Sequence, residues 1–197
     1  MDFQIAESEI LTIAVMCVND FNCGWHGKKD VLLCGVENVH LVLMLLKFEA
    51  NIHAVNCAFK NTDFAKNTRS ITFYEHAINL KINQFDVIID LKSENVSHYK
   101  KMLKTNGILL CNLDALNAEK ITQKGADFLI LMPLKIAESG IQKYYIFASN
   151  KFHPIADFSI QKLDLMEDLH YCNERVYNAV YAMPNYIKKA ISGVARN

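Results

Sequence analysis

The junction in "VLLCGVENVHLVLMLLKF", Val31 to Phe48, holds residues suited by type to meet a small polar ligand. A strand-like apolar run passes straight into a strongly apolar helix, where a nucleotide-binding α/β domain carries a glycine-rich turn. Gly35, Glu37 and Asn38 occupy that turn. Glu37 offers a carboxylate, and Asn38 can hydrogen-bond without charge or simply cap the helix that follows. A second pair of acids, Asp90 and Glu94, lies in "DLKSEN" directly after the apolar run "FDVII". They are either carboxylates serving a site at a strand tip or solvated loop charge.

The elements that must position these residues alternate along the chain. Helical spacing over residues 5–18 puts Ile5, Ile10, Ile13, Ala14 and Met16 on one side. A polar connection follows, Asn19 to Asp30. Strands are expected at Val31–Leu33, Ile52–Cys57, Ser70–Tyr74, Phe85–Ile89, Gly107–Asn112, Asp127–Met132 and Lys143–Ala148, with helices at 36–48, 94–105 and 114–123. The runs "VLL", "DVIID" and "GILLCN" lack strict alternation, as in parallel strands covered on both faces. The last two strands flank only "PLKIAESGIQ", too short for a helical crossover, so they should pair antiparallel. The expected fold is α/β, a methyltransferase-like (Rossmann-like), mostly parallel seven-stranded sheet closed by an antiparallel hairpin. One domain spans 1–197: a leading helix and connection (1–29), a core sheet (30–149) and a helical extension (150–197). In that extension Pro154 sits in an extended stretch, Asn173 opens a helix, and a second helix follows Pro184. Tyr177, Val180, Tyr181 and Ile187 should face the core.

Composition excludes several classes. Lys+Arg and Asp+Glu both number 21, so the basic excess usual in a nucleic-acid binder is missing. No apolar run is long enough to span a bilayer. The start, "MDFQIAESEI", puts acids where a signal peptide carries bases. Six cysteines show no CxxC pair, and Cys17, Cys34, Cys57 and Cys111 lie in apolar runs. Buried free thiols in a reducing cytoplasm are expected.

The C-terminal stretch "YCNERVYNAVYAMP" resembles the closing signature of the polyamine aminopropyltransferases, the spermidine synthase family, through Tyr171, Asn173, Ala179, Met183 and Pro184. "KYYIFASNKFHP" is similar to that family's last core strand, and "FDVII" with "LKTNGILLCN" to the strand bearing the catalytic loop and its successor. The drifted form looks most like the divergent epsilon-proteobacterial members. The resemblance would leave the small β-domain that precedes the Tyr-His-Glu helix in the family, and makes its oligomer contact, without a counterpart in these 197 residues. Self-association as a homodimer stays open.

The resemblance implies transfer of an aminopropyl group from decarboxylated S-adenosylmethionine, a co-substrate, to putrescine, with no resident cofactor and no metal. Small molecules would be the partners, with no nucleic acid and no membrane. An amine must attack the carbon beside a sulfonium in line. With a pKa of about 10 it arrives protonated, so a carboxylate must hold the ammonium and help remove its proton. The resemblance places Asp90 one residue before the family's base and Glu94 on the loop's second acid. Gly35, Glu37, Asn38 and His76 would line the donor site. Glu9, on the family's Tyr-His-Glu glutamate, and Glu138 would serve the substrate, while Lys135 would repel a diamine. Losses in the donor loop, in the ribose acid (Ala58) and in the acceptor segment leave an inactive interaction or regulatory relative as the alternative.

Overall fold

The computed structural model describes residues 2–18, 28–76, 80–92, 96–125 and 127–194. Helix α1 (Phe3–Met16) opens on Asp2, whose carboxylate accepts the Gln4 N–H. Then follow β1 (Asp30–Cys34), α2 (Val39–Lys47), β2 (Asn51–Val55), a 3-10 turn at Ala58–Asn61, α3 (Asp63–Asn67) and β3 (Ile71–Tyr74). The second half holds β4 (Phe85–Asp90), α4 (Val96–Met102), β5 (Leu103–Leu113), α5 (Ala118–Gly125), β6 (Ile130–Glu138) and β7 (Ile141–Ser149). It ends with α6 (Ile160–Asp164), α7 (Glu174–Val180) and α8 (Asn185–Ala190).

The seven strands form one sheet in the order β3-β2-β1-β4-β5-β7-β6. The first five are parallel, and β7 pairs antiparallel with both β5 and β6. The fold class expected from the sequence is therefore the one observed. Side-chain alternation divides the strands between two cores. Val31, Leu33, Val87, Ile89 and Leu110 pack with α1, α2 and Tyr177. Leu32, Cys34, Ile88, Leu109 and Cys111 pack with Tyr99, Met102 and Ile121 on the other face.

Several boundaries differ from expectation, each for a local reason. Residues 103–105 extend β5 instead of α4, because Leu103 pairs with Phe85 across a register shift. Strand β6 begins at Ile130, not Asp127, and runs on to Glu138. Pro133 is tolerated there because β6 is an edge strand, and Ser139-Gly140, both at positive φ, turn the hairpin. The excursion after Ser149 contains the short helix α6, capped by Ser159. Asn173 caps α7, and Tyr177, Val180 and Tyr181 are buried as expected.

Helix α1 was expected to show one apolar side, yet it buries Glu7, Ser8, Glu9 and Thr12 as well. It is wedged between α2, β6 and the C-terminal segment. Glu7 shows how a buried acid is tolerated there. It accepts from Lys143 Nζ at 2.9 Å and from the Tyr145 hydroxyl. Burial and that carboxylate together hold the Tyr145 phenol well above its ordinary pKa.

A polar network ties the amino ends of the central strands. Lys104 Nζ bridges Asp86 (2.8 Å) and Asp30 (3.3 Å), and His53 Nε2 lies 3.8 Å from Asp30. His53 also meets the Tyr74 hydroxyl at 3.1 Å. Burial lowers the His53 pKa, with Asp30 opposing. A histidine that binds its proton less readily when folded contributes stability above its ordinary range, about 6.5, and that stability is lost as pH falls below it. Stability of wild type against urea should therefore fall from about pH 7 to pH 5 more steeply than that of His53→Gln. Equal slopes would refute this linkage.

Candidate active site

The reversal of strand order between β1 and β4 fixes where a ligand can sit. Connections from β1 run to β2 on one side, while the chain returns to β4 on the other. The crevice beyond the carboxyl ends of β1 and β4 is the usual ligand site of such sheets. Cys34 is in register with Val55 on one side and Asp90 on the other, so Gly35, Asn56 and Leu91 follow at the same level. Backbone bonds close this rim: Gly35 N–H donates to Val55 O, Ala58 N–H to Val36 O, and Leu91 N–H to Cys34 O. Gly35 has φ +64, a conformation that favours glycine. A β-carbon there would also lie 2.4 Å from Lys92 Cγ.

Asp90 ends β4 with its side chain buried, next to the Gly35 turn. Its Oδ1 accepts the Lys92 N–H at 3.1 Å. The β4 tip carries no bulge; the register shift lies back at Phe85 and Val87. By alternation Asp90 shares the Ile88 and Cys34 face, toward α4, while Leu91 at the family's base position packs with the α1 and α2 core. The Cys111 thiol registers this placement. Burial pushes it up to about 12, Lys124 opposes, and the Asp90 carboxylate adds to the rise. Glu94 lies outside the described residues.

Asn38 is committed to the fold. It is 5% exposed, its Oδ1 accepts the His40 N–H, and its Nδ2 donates to Gln4 O and Ser8 Oγ, both at 2.8 Å. The cap reading therefore holds, with a tie to α1 added, and no donor role is carried forward for it. Glu37 is exposed beside the turn, and His76 is exposed past the end of β3.

Glu9 is likewise engaged by the backbone. It is 2% exposed, and its two oxygens accept the N–H groups of His170, Tyr171 and Cys172 at 2.7, 2.9 and 2.7 Å. It anchors the C-terminal signature to α1, which displaces the substrate role expected of it. Other signature residues are structural too. Asn173 Oδ1 caps α7, and the Tyr171 hydroxyl donates to Ala137 O. Tyr177 stacks on Phe158 at 4.3 Å and donates to Pro154 O. Glu138 ends β6, four strand spacings or roughly 19 Å across the sheet from β1. It accepts from Ser139 Oγ, and its charge adds to the burial that raises the Tyr171 pKa.

Comparison with known proteins follows this geometry. No protein-family model matches the chain. It is 27% identical to the polyamine aminopropyltransferase of Helicobacter acinonychis, over 83% of this chain and 70% of that one. The chain is therefore similar, at low identity, to polyamine aminopropyltransferases. Among solved structures it is similar to the spermidine synthase of Thermotoga maritima, with TM-score 0.69 and 19% identity over 96% of this chain and 75% of that one. A spermidine synthase in complex with the transition-state analogue AdoDATO gives TM-score 0.71 at 19% identity, over 95% of this chain and 75% of that one. At such identity the structural likeness speaks for the fold.

Lys92 stands two residues past the end of β4. Sequence reasoning passed over it, because a lysine in a loop reads as surface charge. The one available signal was its position two residues past the strand that faces Gly35. Among the described residues no cluster of His, Cys, Asp or Glu is placed to hold a metal ion, and no helix is long and apolar enough to cross a membrane.

Proposed function

We propose that this chain is a polyamine aminopropyltransferase, moving an aminopropyl group from decarboxylated S-adenosylmethionine to a diamine such as putrescine. The observation that supports this most is the buried Asp90 carboxylate beside the positive-φ Gly35 turn, at the switch point of an aminopropyltransferase-type sheet. The donor would lie over the Gly35 turn, with Glu37 and His76 on the nucleoside side. Asp90 would hold the acceptor ammonium and take its proton, freeing the nitrogen lone pair to attack the carbon beside sulfur as the C–S bond breaks and methylthioadenosine leaves as a neutral thioether. Of the two acids expected to perform the chemistry, Asp90 is the one the described residues contain.

Calorimetry with methylthioadenosine tests the donor half of this reading. One site per chain is expected, and no heat at millimolar ligand would overturn it.

A further inference from the structure

Lys92 lies across the mouth of the Gly35 turn. Its Cγ and Cδ would stand 2.4 and 2.7 Å from a β-carbon built on Gly35, so the glycine makes room for this aliphatic stem. The ammonium is two bonds beyond that Cδ. The base of the side chain is fixed, since Lys92 N–H donates to Asp90 Oδ1 and Leu91 N–H to Cys34 O. The charge also reaches the Cys57 thiol beyond the end of β2. Burial pushes that thiol up to about 11, and Lys92 is among the groups that oppose the rise. The exposed side chain therefore sets out from the Gly35 turn at the carboxyl end of β1, where the donor would sit.

We propose that Lys92 is a specificity-determining residue that makes the crevice favour neutral thioether nucleosides over ligands carrying a sulfonium cation. The proposal rests on reading this crevice as a nucleoside site. Two like charges sharing one partly screened crevice repel, and the effect on a binding ratio is about tenfold. The transfer moves positive charge from sulfur to the acceptor nitrogen, leaving a neutral thioether. The same lysine thus weakens donor binding relative to product binding.

The test is calorimetry of the full chain at low salt with methylthioadenosine and, separately, decarboxylated S-adenosylmethionine. Wild type is compared with Lys92→Met, which keeps the stem over Gly35, and Lys92→Arg, which keeps the charge. Wild type should prefer the neutral ligand, and Lys92→Met should shift the preference toward the cation by about tenfold. Lys92→Arg should retain the wild-type ratio, and added salt should narrow the wild-type preference. An unchanged ratio in Lys92→Met overturns the role of Lys92 and leaves the nucleoside reading standing. Heat from neither ligand with any of the three proteins overturns both.

Discussion

Asp90→Asn is expected to lower the rate of aminopropyl transfer by about 10²–10⁴-fold, the usual contribution of a positioned proton acceptor. The substitution keeps volume, and the amide oxygen can still accept the Lys92 N–H that Asp90 Oδ1 receives now. The melting temperature should therefore stay close to wild type, which separates chemistry from folding. What is lost is the negative charge that binds an alkylammonium and accepts its proton. A variant as fast as wild type would show that some other group removes the proton.

The second large effect is on stability. Glu9→Ala should cost about 3–5 kcal/mol, because three backbone N–H groups at His170, Tyr171 and Cys172 lose a buried ionic acceptor at once. Glu9→Gln should fall between, since its amide oxygen accepts but its NH2 faces donors. The damage should appear first as protease sensitivity near residue 170, before global unfolding. Urea curves measure the loss, and a Glu9→Ala value within about 0.5 kcal/mol of wild type would contradict the anchor role.

Much of the fold was legible because its signals are local. Apolar runs without alternation marked the parallel strands, and a connection too short for a crossover forced β6 and β7 antiparallel. The helix cap at Asn173 and the core positions Tyr177, Val180 and Tyr181 followed from spacing alone. The site was harder to read because its determinants are not local. Glu9 and Asn38 have the right chemistry for substrate, yet hydrogen bonds to segments distant in the chain occupy them. Asp90 depends on strand register, in which one residue decides the face, and Lys92 becomes meaningful only once β4 is laid beside β1.

The most direct measurement is a time course with decarboxylated S-adenosylmethionine and putrescine, following methylthioadenosine and triamine together by mass spectrometry. Wild type should release the two in equal amounts, and Asp90→Asn should release both far more slowly. Methylthioadenosine without triamine, or neither product from wild type with any diamine tried, would contradict aminopropyl transfer as the function of this crevice.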